Sequence, residues 1–303
     1  MILGCDSFIS WLYQGGDSSF KGPDGNLNVP KVLEVMKTSV SYGVKSLDLS
    51  PPLVEAFRRL RRETDQDIVG LGALQEWTCK NFTIDGVPLE SYSEEIKATI
   101  RLKLPKGYLE SLKRSKTLGI DFIRTFFTPK HPAQPLTQSQ INHIRIEPEF
   151  FKRRMELYRR LDVKLVQFGG GAADWLVAMG RIDMLESLSR MISQSGFKPL
   201  LICHWTSLVL PIAEKELEVA GYIVPLNKLW GLLTLSDALN TIKKVEKPLI
   251  AMKTLAQGAI ADDLQGAFTF VFKEVGVRAA VVGVSSKIEA EQTFSTIAKV
   301  LCK

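Results

Sequence analysis

The stretch Pro248-Leu249-Ile250-Ala251-Met252-Lys253-Thr254-Leu255-Ala256-Gln257-Gly258 decides how the chain folds. Its apolar part is too short for a helix and is bounded by a proline, so it reads as a buried strand. The strand stops at Lys253, and the small and polar residues Thr254, Ala256, Gln257 and Gly258 follow. The pattern recurs in Ala279-Ala280-Val281-Val282-Gly283-Val284, which runs into Ser285-Ser286 and a helical pattern from near Ile288. Two parallel-type strands, each ending in a turn of small and polar residues, make a βαβ unit. At the end of a (β/α)8 barrel such a unit frequently holds a phosphate, because backbone N–H groups and a helix N-terminus converge there.

Working back along the chain, the same alternation appears throughout. Strand patterns occur from Ile2-Leu3-Gly4 to near Asp6-Ser7-Phe8, and at Val44–Ser50, Asp67–Leu74, Asp121–Phe127, Val163–Phe168, Pro199–His204 and Tyr222–Asn227. Helical spacing separates them at Val32–Val40, Leu53–Glu63, Glu94–Lys103, Leu109–Leu118, Glu149–Leu161, Ile182–Ser195 and Val209–Val219. The Gly-rich loop from Gln14 to Gly25 is long enough to lie over a barrel mouth, and Asp85-Gly86 reads as a turn. With the last two strands there are nine candidates, one more than a barrel needs, and no linker or composition break divides them. Strands alternating with helices mean a parallel sheet. At 303 residues the expected fold is one α/β domain over 1–303, a (β/α)8 TIM barrel with long loops at its C-terminal face. Gly169-Gly170-Gly171 lacks the spacing of a dinucleotide-binding fingerprint, which argues against a Rossmann domain.

Composition narrows the function classes. The chain is 45% hydrophobic and 24% charged, an ordinary globular balance. No apolar run approaches the ~18 residues of a membrane span. The start, Met1-Ile2-Leu3-Gly4-Cys5-Asp6, has neither the basic head nor the apolar stretch of a secretory signal, so a cytoplasmic protein is expected. Four scattered cysteines (Cys5, Cys79, Cys203, Cys302) without a CxxC pair point to reduced thiols and to no metal site. The net charge is +6, with basic clusters at Arg58–Arg62, Lys113–Lys116 and Lys152–Arg160. These fall on amphipathic helices, where a solvated face is the expected reading and a nucleic-acid partner is not.

Several segments resemble the aldo-keto reductase superfamily. Gly43-Val44-Lys45-Ser46-Leu47-Asp48-Leu49-Ser50 is similar to that family's second strand, which implies a catalytic role for Asp48. Leu109-Glu110-Ser111-Leu112-Lys113-Arg114 with Gly119-Ile120-Asp121-Phe122-Ile123 resembles its next shared segment. Ala251–Gly258 resembles the turn that lies along the cofactor pyrophosphate, and Val281–Ser286 with Glu289 the last strand and helix start. The resemblance implies NAD(P) as cofactor. It also implies a tetrad tyrosine where this chain has Leu53, and an adenosine-phosphate arginine where it has Glu289. Met252-Lys253-Thr254 is similar to the lysine strand of deoxyribose-phosphate-type aldolases as well.

In a barrel the residues at the C-terminal ends of the strands share one mouth. Here they are Asp6, Asp48, Gln75, His204, Asn227 and Lys253. The expected catalytic residues are Asp48, His204 and Lys253. A desolvated Lys253 amine would attack carbonyls, or would neutralise Asp48 or a phosphate. His204 could shuttle a proton or serve as a structural imidazole. Asp174, behind the glycines, could cap the next helix. Asn227, Thr254, Gln257, Gly258, Gly283, Ser285 and Ser286 are the expected cofactor-binding residues, and Asp6, Gln75, Trp11 and Trp205 line the substrate pocket. The reading is an enzyme acting on a small, phosphorylated or nucleotide-linked carbonyl compound, by NAD(P)-dependent reduction with an unusual proton donor. Two alternatives stay open: a Schiff-base lyase using Lys253, and a non-catalytic binding barrel.

Overall fold

The computed structural model describes residues 1–9, 20–21, 26–74, 81–104, 107, 130–229 and 235–302. The first third holds β1 (Ile2–Gly4), α1 (Asp6–Ile9), α2 (Val29–Ser41), β2 (Ser46–Leu49), α3 (Val54–Glu63), β3 (Val69–Ala73), β4 (Phe82–Ile84), β5 (Val87–Pro88) and α4 (Ser93–Lys103). Next come α5 (Gln138–Asn142), β6 (Ile144–Ile146), α6 (Pro148–Arg159), β7 (Leu165–Gly169), α7 (Gly171–Ala178), α8 (Ile182–Gln194), β8 (Lys198–Ile202), α9 (Thr206–Glu216) and β9 (Gly221–Pro225). The chain ends with α10 (Leu235–Ile242), β10 (Leu249–Met252), α11 (Leu264–Thr269), β11 (Ala279–Gly283) and α12 (Lys287–Cys302).

Eight parallel strands close into a barrel in the order β1-β11-β10-β9-β8-β7-β3-β2. This is the (β/α)8 architecture that the alternation implies. The ring is complete with eight of the nine candidate strands. The ninth, 121–127, and the helical pattern over 109–118 lie outside the described residues. The contacts divide the chain into two compact units, one of 1–73, 226–228 and 249–303, the other of 74–225 and 229–248.

In the first unit β1 is fully buried and pairs with two neighbours, Ile2 standing opposite Ser46 of β2 and Val281 of β11. Helix α2 forms because Asn28 accepts the N–H of Lys31 at its start, with a proline in the first turn. Its Val32, Leu33, Val35, Met36 and Val40 face inward. Each buried aliphatic side chain of this kind contributes about 1.5–3 kcal/mol. Pro51-Pro52 ends β2, as their missing N–H groups require, and a 3-10 turn leads into α3. Leu53 in that turn is fully buried.

In the second unit β8 pairs with β7 and with β9. Beyond its Asp85-Gly86 turn the sequence gives no sign of a separate antiparallel sheet of order β5-β4-β6. Its hairpin turns at Asp85-Gly86, both at positive φ, and β6 returns from far along the chain to pair Ile144 with Ile84. Helix α7 has no counterpart among the helical patterns of the sequence. Ala172, Ala173, Asp174, Trp175, Leu176 and Val177 are all buried, so the helix carries no amphipathic stripe to betray it.

The basic clusters lie on exposed helix faces with acidic neighbours, as in Arg59–Glu63 (3.4 Å), Lys152–Glu149 (2.7 Å) and Arg160–Glu156 (3.3 Å). Exposed pairs of this type are worth about 0–1 kcal/mol. Lys113–Lys116 lies outside the described residues. Among the described residues no helix is long and apolar enough to cross a membrane.

Candidate active site

In the first unit β1 delivers Cys5 and Asp6. Cys5 is fully buried, and burial, reinforced by the carboxylates of Asp48 and Asp6, pushes its thiol far above the ordinary value. The two aspartates picked out from the sequence therefore both act on one thiol, which stays protonated. Asp48 is half-buried within β2, between buried Leu47 and Leu49, whereas Asp6 opens α1 and is exposed. Ser7 donates its hydroxyl to the Val284 carbonyl at 2.6 Å, which ties this corner to the end of β11.

The turn after β10 is held in an unusual backbone conformation. Lys253 (φ 54°), Ala256 (φ 50°), Gln257 (φ 60°) and Gly258 (φ 94°) all have positive φ. Three of these four are not glycine, and each non-glycine in this region costs about 1–3 kcal/mol, sustained by surrounding contacts. Those contacts are visible. Asn227, wholly buried at the end of β9, donates its amide to the Lys253 carbonyl at 3.2 Å, and the same carbonyl accepts the Ala256 N–H at 2.8 Å. Lys228 pairs with Asp263, which caps α11 through the Gly266 N–H at 2.9 Å. Thr254 is buried in the turn, and Gln257 and Gly258 are exposed at its crest.

The turn after β11 is closed from within. Gly283 ends the strand. The Ser285 N–H donates to Glu289 Oε2 at 2.8 Å and the Ser285 hydroxyl to Oε1 at 2.7 Å. The Glu289 N–H in turn donates to Ser286 Oγ at 3.1 Å. A carboxylate of the chain itself sits at the start of α12, where the helix dipole favours an anion. The Ser285 donors are thus engaged with Glu289, and a phosphate that takes them has to displace that side chain.

In the second unit the strand ends bring together His204 and a residue whose role was misjudged from the sequence. Asp174 does not cap α7; Gly170 holds the N-cap, and Asp174 lies inside the first turn with 1% of its surface exposed. Its carboxylate reaches across to the end of β8. Oδ1 accepts the N–H groups of His204 (2.9 Å) and Trp205 (3.0 Å), and Oδ2 lies 2.9 Å from His204 Nδ1. His204 is 6% exposed and Trp205 fully buried. Cys203 is buried beside them, and burial followed by the Asp174 charge pushes its thiol far up, so it is no nucleophile. Helix α7 packs against α9, which starts immediately after Trp205. A carboxylate-bound imidazole at a barrel strand end is equipped to hold and release a proton.

Of the remaining expected residues, Trp11 and Gln75 lie outside the described residues. Among the described residues no group of three His, Cys, Asp or Glu side chains converges closely enough to hold a metal ion.

No protein-family model and no curated protein matches the sequence. Solved structures do. Two structures from Pseudomonas aeruginosa, both named as candidate aldo-keto reductases, cover 99% of this chain and 89% of their own. One has TM-score 0.54 at 14% identity, the other 0.52 at 15%. The chain therefore has the barrel fold of aldo-keto reductase-like proteins.

Proposed function

We propose that the protein is an oxidoreductase that reduces small carbonyl compounds with NAD(P)H. NAD(P)H would be held by the Lys253–Gly258 turn and by Gly283–Ser286 where Glu289 yields, and Lys253, in the same unit, would supply the proton. The observation that carries this reading is the run of positive φ angles after β10. Backbone strain persists where a fold must present a fixed surface to a ligand, and here Asn227 and the Lys228–Asp263 pair hold it in place. The β10 turn is the better anion cradle, since at the β11 turn Glu289 already takes the Ser285 donors. A bound nicotinamide would supply a hydride; the chain's part is to orient the carbonyl and to protonate its oxygen. Leu53, at the position where the resemblance implies tyrosine, has no proton to give, which directs that task to Lys253 in the same unit.

The test is a titration of the protein with NADH and with NADPH, followed by nicotinamide fluorescence. Binding in the micromolar range or tighter, weakened at least tenfold by Asn227→Ala, supports the reading. Absence of binding by both nucleotides removes it.

A further inference from the structure

Where β10 gives way to its turn, a side chain takes over from the backbone. The Leu226 N–H donates to the Met252 carbonyl at 2.9 Å, and the next residue, Asn227, donates its side-chain amide to the next carbonyl, that of Lys253, at 3.2 Å. The Lys253 carbonyl also accepts the Ala256 N–H at 2.8 Å, so both of its acceptor sites are used and the peptide unit after Lys253 is fixed from two directions. Lys253 itself has φ 54°, outside the extended region that keeps strand side chains alternating between faces. Such a conformation persists in a non-glycine residue only where neighbouring bonds over-determine it. Asn227 is wholly buried, Lys253 is half-buried, and both belong to the same compact unit. A lysine ammonium rides on a flexible stem, so the direction in which Cβ leaves the backbone decides which side of the turn it serves.

We propose that Asn227 is the positioning residue of the proton donor. By gripping the Lys253 carbonyl it keeps Lys253 in the left-handed conformation from which the ammonium protonates the substrate. This rests on the carbonyl-reductase reading above, and in this role Asn227 acts through Lys253 and not on the substrate. In the step, the carbonyl carbon gains a hydride from the reduced nicotinamide. The C=O π pair takes a proton from the Lys253 ammonium, leaving an alcohol, the oxidised nicotinamide and a neutral amine. Solvent returns the proton to Lys253 before the next turnover.

A double-mutant cycle of Asn227→Ala and Lys253→Met tests this. At saturating NAD(P)H and with a carbonyl substrate, Lys253→Met should lose about a hundredfold or more in kcat, and Asn227→Ala about tenfold or more. In the Lys253→Met background, where no ammonium is left to misplace, Asn227→Ala should change kcat by less than about twofold. Its effects on nucleotide affinity and on melting temperature should persist there, since they belong to the shape of the turn. Asn227→Asp keeps the shape and puts an acceptor where the donor was; it should behave alike, and it serves if the alanine variant does not fold. A kcat loss of equal size in both backgrounds, as a purely structural role gives, overturns the inference. So does undiminished kcat in either single variant. If no nucleotide binds or no carbonyl compound is turned over, the reductase reading fails, and labelling of the intact protein with acetic anhydride decides on Asn227 alone. Read by peptide mass spectrometry, Asn227→Ala should change the labelling rate of Lys253 and leave lysines on other elements unaltered; an unchanged Lys253 rate overturns the inference.

Discussion

Replacing Gly169 by alanine tests the junction that launches α7 and so places Asp174. Gly169 ends β7 at φ 108°, outside the left-handed region that other residues tolerate. A Cβ there would lie 2.5 Å from the Ile202 carbonyl oxygen, 2.9 Å from Leu201 Cδ1 and 3.0 Å from Ala173 Cβ. The adjacent Gly170 N–H donates to that same Ile202 oxygen at 2.8 Å, so the carbonyl cannot swing away without losing a bond. The backbone contribution is about 1–3 kcal/mol. Forcing β7 and β8 apart adds about 1–3 kcal/mol. Gly180→Ala is the control, since Gly180 also has positive φ (79°) but open space where its Cβ would go. It should cost only the backbone part, about 1–2 kcal/mol. Urea unfolding followed by circular dichroism gives both values. Gly169→Ala should be the less stable by about 2 kcal/mol or more. Two variants of equal stability would refute the packing described at this junction.

Three further outcomes are expected. Glu289→Gln, which removes the anion at the start of α12, should lower stability by about 1 kcal/mol while tightening the binding of phosphate-bearing nucleotides; an isothermal titration that shows weaker binding would contradict the self-closed turn. Glu214 accepts from the Tyr222 hydroxyl (2.6 Å), the Glu246 N–H (3.0 Å) and the Lys247 ammonium (3.2 Å). Burial alone would raise its pKa, but these donors outweigh burial and hold it below the ordinary glutamate value. A depressed folded-state pKa stabilises above the unfolded value of about 4.3 and the benefit fades as pH falls through the folded one. Glu214→Gln should therefore be less stable than wild type near neutral pH and approach it at about pH 3, as read by urea unfolding at both. Borohydride added with a carbonyl substrate should leave no substrate carbon on Lys253; a trapped adduct there would favour the Schiff-base alternative.

The barrel was legible because its strands are local events. Leu249–Met252 and Ala279–Gly283 announce themselves by a few adjacent apolar residues and a turn, and their C-terminal tips follow from the topology. The small sheet was not legible, since Phe82–Ile84 and Ile144–Ile146 are too short to show alternation and pair across a long interval of chain. The site was half legible. His204 and Asn227 could be placed at strand ends by counting, but the partner of His204 could not. Asp174 sits on a helix buried on every side, where no periodic stripe marks the inward face, and its bond to His204 depends on the positive-φ exit at Gly169-Gly170. Glu289 was noticed only as a departure from a family pattern. Its reach back to Ser285 makes it the anion of its own helix start.

The central claim is hydride transfer to a carbonyl carbon, and a deuterium label follows it directly. The protein is incubated with nicotinamide cofactor deuterated at the reactive carbon and with a panel of small aldehydes and ketones, and the alcohols are examined by mass spectrometry. One deuterium is expected on the former carbonyl carbon of at least one product, with its yield cut sharply by Lys253→Met. Binding of the cofactor with no deuterium in any product, or a labelled product formed equally well without Lys253, would contradict it.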